Sequence, residues 1–139
     1  MTTGTPGVAD RRMPRQVLNT MVKRVNYNDV GIADGLPFDQ YLPMGARLVD
    51  VQVEIITPFN GGTTNVLTAG TVGTAYNNLV AAGDVDEAAA AVTKAGRGLG
   101  RGLTAAAAVR PYAKYTQSGT AATAGQADIL LVYEGGWAS

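Results

Sequence analysis

The stretch from Arg47 to Thr57 constrains this chain more than any other. Val49, Val51, Val53 and Ile55 alternate with Asp50, Gln52 and Glu54, and Pro58 follows at once. Strict alternation over such a length is the mark of a strand with one buried face and one wet face. A strand like that needs partners, and the flanking chain offers several, set apart by glycine and proline. Phe59-Asn60-Gly61-Gly62 permits a tight connection into 63–72, so the two segments are expected to form a hairpin. Residues 16–27 hold Val17, Leu18, Met21, Val22 and Val25. Their spacing suits a helix or a strand, and the β-branched content and the Asn26-Tyr27-Asn28-Asp29 exit favour a strand.

The other segments extend the pattern. Residues 128–134 are apolar on both faces and predict a strand that is central or lies under a neighbour. Residues 109–117 place Val109, Pro111, Ala113 and Tyr115 on one face and Arg110, Tyr112 and Lys114 on the other. Pro111 predicts an edge strand or a bulge there. Between 29 and 46, Gly31, Gly35, Pro37, Pro43 and Gly45 leave room for short extended pieces only, pinned by Phe38, Tyr41 and Leu42. Residues 76–83 read as a short strand or loop, 96–102 (Gly-Arg-Gly-Leu-Gly-Arg-Gly) as a flexible loop, and 118–127 as a loop of small residues. Helix competes with strand only at 84–93, where Asp84 is a candidate cap, Glu87 stands three positions on and four alanines follow. The fold class is therefore all-β: an antiparallel β-sandwich or barrel, jelly-roll-like, with at most one short helix.

At 139 residues the chain is one domain. Residues 1–15, rich in Thr, Gly, Pro and Arg, are expected to form an extended arm, and 16–139 the single β domain. Ala and Gly supply 40 of the 139 residues, so burial per residue is low and a stabilising partner surface is expected. The formal charge is zero but segregated: +4 over 1–25, −7 over 26–93, +5 over 94–127 and −2 over the rest. Such blocks suit contacts between subunits. Arg11, Arg12 and Arg15 on the arm are candidate interface anchors. So are Tyr112, Lys114 and Tyr115 on the 109–117 strand, and Trp137 near the end, the only tryptophan.

Chemistry is scarce. With no cysteine and no histidine, thiolate nucleophiles, imidazole bases and the usual transition-metal ligands are missing, and no enzyme activity, cofactor or metal is expected. Neither serine, Ser118 or Ser139, sits in a nucleophile-elbow pattern. The 96–102 run departs from GxGxxG because Arg101 occupies a glycine position. Its two arginines are too few for strong RNA binding, so no nucleic-acid partner is expected. Asp84, Asp86 and Glu87, like Asp29, Asp34 and Asp39, lack a calcium-loop pattern and read as turn residues. No apolar run approaches a membrane span, and no small-molecule substrate is indicated.

Three stretches together resemble small β-rich structural proteins of tailed bacteriophages. They are Asn26-Tyr27-Asn28-Asp29-Val30-Gly31-Ile32-Ala33; Leu42-Pro43-Met44-Gly45-Ala46; and the run from Val53 through Thr57-Pro58-Phe59-Asn60-Gly61-Gly62 to Asn65. Tyr115-Thr116-Gln117-Ser118-Gly119-Thr120, leading to Val132-Tyr133-Glu134, belongs to the same pattern. In size the chain is most similar to capsid decoration, or cement, proteins. That resemblance implies a virion component assembled in the host cytoplasm. It implies a partner in the major capsid protein, a homo-oligomer with a trimer favoured, and a terminal arm that reaches across the shell. A head-fibre, tail or baseplate module is the alternative, though the chain has no repeats or coiled stalk. A carbohydrate-binding β-sandwich is a second alternative, against which the single tryptophan counts.

Overall fold

Seven strands occupy the residues that the computed structural model describes, 18–95, 105 and 107–135. In chain order they are β1 (Leu18–Asn26), β2 (Leu36–Pro37), β3 (Ala46–Thr57), β4 (Thr64–Gly70), β5 (Val92–Ala95), β6 (Tyr112–Ser118) and β7 (Gln126–Gly135). They form two antiparallel sheets, a large one ordered β1-β7-β3-β5 and a small one ordered β2-β6-β4. The sheets make an open sandwich, not a barrel, with no helix among the described residues. The expected arm at 1–15, the 96–102 loop and Trp137 lie outside those residues.

The core lies between the sheets. Met21 and Val25 of β1, Leu48, Val51, Val53 and Ile55 of β3, and Ile129 and Leu131 of β7 meet Leu67 and Ala69 of β4 and Ala113 and Tyr115 of β6. Connecting segments add Ile32, Phe38, Leu42, Phe59, Leu79 and Val80. Phe38 and Leu42 pin their loop from within the core, while Tyr41, 55% exposed, is held at the surface with the Arg110 guanidinium 5.5 Å from its ring centre.

Strand membership alternates between the sheets along the chain, so consecutive strands never pair. The expected hairpin of 47–57 with 63–72 is therefore absent: β3 belongs to the large sheet and β4 to the small one. Phe59 enters the core between them, and its connection is tied instead to the 118–120 turn. There Gly62 N–H donates to the Thr120 carbonyl (2.7 Å) and Thr63 N–H to that of Ser118 (2.9 Å).

Three further expectations are corrected. Val49 points outward, because an extra residue between Leu48 and Asp50 shifts the pairing with β7 and resets the alternation. Asp50 serves this bulge by accepting the Val51 N–H at 2.9 Å. The 109–117 strand is central, not an edge. Pro111 precedes β6, where a missing N–H costs the ladder nothing, and its carbonyl accepts the Phe38 N–H at 2.8 Å. Finally, 84–93 is not helical. Asp84 accepts the Ala81 N–H and Asp86 that of Ala88, turn bonds that compete with a helix, and the segment ends in β5.

Candidate assembly surface

The outer face of the small sheet is already occupied. Residues 71–78 fold back over it, held by Asn78, whose Oδ1 accepts the Thr71 N–H (2.8 Å) and whose Nδ2 donates to the Thr71 hydroxyl (3.0 Å). Gly70 permits this approach, since a Cβ there would collide with Asn78 and the Tyr76–Asn77 backbone. Two of the sequence-predicted interface residues are thereby engaged within the chain. The Tyr112 ring stacks on Tyr76 at 4.6 Å between centroids and 14° between planes. The Lys114 ammonium donates to the Thr74 carbonyl at 3.2 Å.

Tyr115 is a core residue, which corrects its reading as an interface anchor. It is 2% exposed, its ring lies 4.5 Å from that of Phe59, and its hydroxyl donates to Asn65 Oδ1 at 2.5 Å. Burial, and then the nearby Glu87 carboxylate, push its hydroxyl pKa up. Arg11, Arg12, Arg15 and Trp137 lie outside the described residues.

The large sheet is different. Its outer face is built in cross-strand rows, because antiparallel pairing sets every second residue of each strand side by side. Val22 of β1, Leu130 of β7, Gln52 of β3 and Lys94 of β5 form one row, and Thr20, Val132 and Asp50 form the next. Arg24, Asp128, Glu54 and Val92 flank these on one side, and Leu18, Glu134 and Arg47 on the other. Both flanking rows carry an ion pair. Arg24 grips Asp128 with two bonds of 2.8 and 2.9 Å, while Arg47 lies 3.9 Å from Glu134. The hydrogen bonds and charge of Asp128 raise the Arg24 pKa further above its usual value.

The resulting surface carries an apolar band along β1 and β7, together with Val92 of β5, beside the polar and charged residues of β3 and β5. Leu18, Val22 and Val92 are each more than half exposed, and Leu130 and Val132 remain partly so. A shallow hollow of about 190 Å³ is lined by Val22, Leu130, Val92 and the polar Gln52, Glu54 and Asp128. An apolar centre with a polar rim is the anatomy of a protein interface. The signal for it was present in the two-sided apolar pattern of 128–134, which predicts a second layer over the strand. Among the described residues, no titratable groups cluster in a way that could hold a metal ion. Four of the six acids read as turn residues have structural duties or are buried: Asp84 and Asp86 hold turns, Asp29 accepts the Asn26 N–H, and Glu87 is buried.

No family model matches the chain, and no curated protein matches it. Solved structures do. A chain of the cyanophage Pam1 capsid asymmetric unit superposes with a TM-score of 0.61 at 17% identity, covering 84% of each chain. A chain of the acidic stable capsid structure of Helicobacter pylori bacteriophage KHP30 superposes with a TM-score of 0.60 at 18% identity, covering 85% of this chain and 87% of that one. This alternating two-sheet sandwich is thus a fold found in bacteriophage capsid structures.

Proposed function

We propose that the chain is a virion structural protein of a bacteriophage, and within the virion a decoration protein that binds the outside of the head and bridges major capsid subunits. The observation that carries this reading is the shared fold with chains of two phage capsids. Nearly equal shares of both partners are covered in each superposition, so those chains are about as long as this one. A chain this small suits an accessory that sits on a shell. The apolar band of the large sheet supplies the binding area, and the arginines of 1–15 supply anchors for an acidic patch on the shell. The protein acts by binding, not by turnover, in keeping with a sequence that has neither histidine nor cysteine. Modest affinity at each site suffices when many copies act on one particle.

The test is occupancy on phage heads purified without this protein. The wild-type chain is expected to cosediment with heads, Leu130→Asp to lose most of that binding while still folding, and deletion of 1–15 to weaken it. Absence of binding by the wild-type chain would remove the decoration role and leave the tail or baseplate alternative.

A further inference from the structure

We propose that β1 is a self-pairing edge, through which two copies of this chain join their large sheets into one. Four strand edges are in view, and three are protected. β4 is covered: Ala69 exchanges two backbone hydrogen bonds with Val80, and Leu67 N–H is taken by the Glu87 carboxylate at 3.0 Å. β2 is two residues long and β5 four, too short to serve as templates. β1 is nine residues long, pairs with β7 without a register shift, and contains no proline. Among the described residues, no backbone hydrogen bond reaches its outer edge between Leu18 and Val25. Such an edge is a template for another strand. A groove of about 180 Å³ runs beside it, between Thr20–Val22 and Phe38–Gln40.

The chemistry of the edge selects a second copy as the occupant. In an antiparallel pair centred on Thr20, Leu18 of one copy faces Val22 of the other, twice, and Thr20 faces Thr20 on the two-fold axis. That register covers two side chains that are 59% and 53% exposed in the single chain. It also keeps Lys23 and Arg24 beyond the five paired residues, whereas a register centred near Lys23 would set like charges face to face. Pairing also enlarges the outer face that the proposed binding to a shell uses. Strands of nine, ten, twelve and four residues, spaced about 4.8 Å apart, give a face of roughly 550 Å². Stable interfaces need roughly 800 Å² per partner. Two copies joined edge to edge present a continuous face of about twice the single area. The symmetry is two-fold, so this contact makes dimers and not the trimer that the decoration-protein resemblance implies.

The chain alone in solution tests this, without any shell, so failure here leaves the decoration reading to be judged by head occupancy. Sedimentation velocity of the wild-type protein is expected to give twice the mass of 14.3 kDa. Thr20→Asp should halve that mass, and mixing Thr20→Asp with Thr20→Lys should restore it. Because the chain has no cysteine, single thiols report the register. Directly opposed residues have Cα atoms about 4.5–5.5 Å apart, within disulfide reach. Thr20→Cys should cross-link to itself on mild oxidation, and Val22→Cys should cross-link with Leu18→Cys but not with itself. A monomeric wild-type chain overturns the proposal. So does a dimer that Thr20→Asp leaves intact, or one that cross-links through Val22→Cys alone.

Discussion

Glu87 offers the sharpest test of how this sandwich is held together. Its carboxylate is buried beside β4 and accepts the Leu67 N–H at 3.0 Å, while its own carbonyl accepts the Phe59 N–H at 2.9 Å. Burial raises its pKa above the ordinary value of 4.5; the Leu67 bond opposes that rise, and nearby Asp86 adds to it. The sign follows. A carboxyl that holds its proton more tightly when folded destabilises the fold at pH values above both its folded and its unfolded pKa. That penalty is relieved as pH falls through the raised folded value, and it is gone below 4.5. Wild-type stability should therefore rise, from this group, on mild acidification. Glu87→Gln keeps an acceptor for Leu67 and removes the charge, so it should match or exceed the wild type at neutral pH and lack the acid-side gain. Glu87→Ala strands a buried N–H and should cost about 1–3 kcal/mol relative to the Gln variant. Urea unfolding of the three proteins between pH 4.5 and 7.5 reads this out directly. A wild-type-minus-Gln difference that stays flat with pH, or an Ala variant as stable as the Gln variant, would refute the reasoning.

Other outcomes follow from particular contacts. Gly125 has φ +152° and a Cβ there would enter the Phe59 ring, so Gly125→Ala should cost about 2 kcal/mol or more, measured by thermal unfolding. Tyr115→Phe should cost only about 1 kcal/mol in the same assay, because Asn65 Oδ1 keeps a donor in the Gly61 N–H at 2.7 Å. Arg24→Ala should leave the melting temperature nearly unchanged, its ion pair with Asp128 being exposed on the arginine side, yet lower occupancy on phage heads if the charged rim helps bind them.

Much of the fold was legible in local pattern. Alternation marked β3, two-sided apolarity marked β7 as central or lying under a neighbour, and β-branched content placed β1 correctly where spacing alone was ambiguous. What local pattern does not carry is which sheet a strand joins. Asn60-Gly61-Gly62 is good hairpin material, but burial of Phe59 turns the chain across to the other layer. Nor does alternation survive a bulge: one extra residue at Val49 reverses the faces on its two sides. The surface was half legible. Tyr112 and Lys114 have interface chemistry, but the 71–78 segment uses it internally, a pairing across some forty residues that no local reading supplies. The apolar band was missed as a site because its residues come from three strands scattered between Leu18 and Val132.

The alternation of strands between layers also bears on how the molecule is made. In the large sheet, β1 and β3 are neighbours only of β7 on their shared sides, and β7 holds residues 126–135. A nascent chain on the ribosome thus carries β1 with no partner, and β3 with only the four-residue β5, until β7 has been made. Ordering of that layer is a late, long-range event, which favours slow folding and exposes incomplete chains to aggregation. Truncation before β7 would leave β1 without a partner in its sheet and β3 with only the four-residue β5.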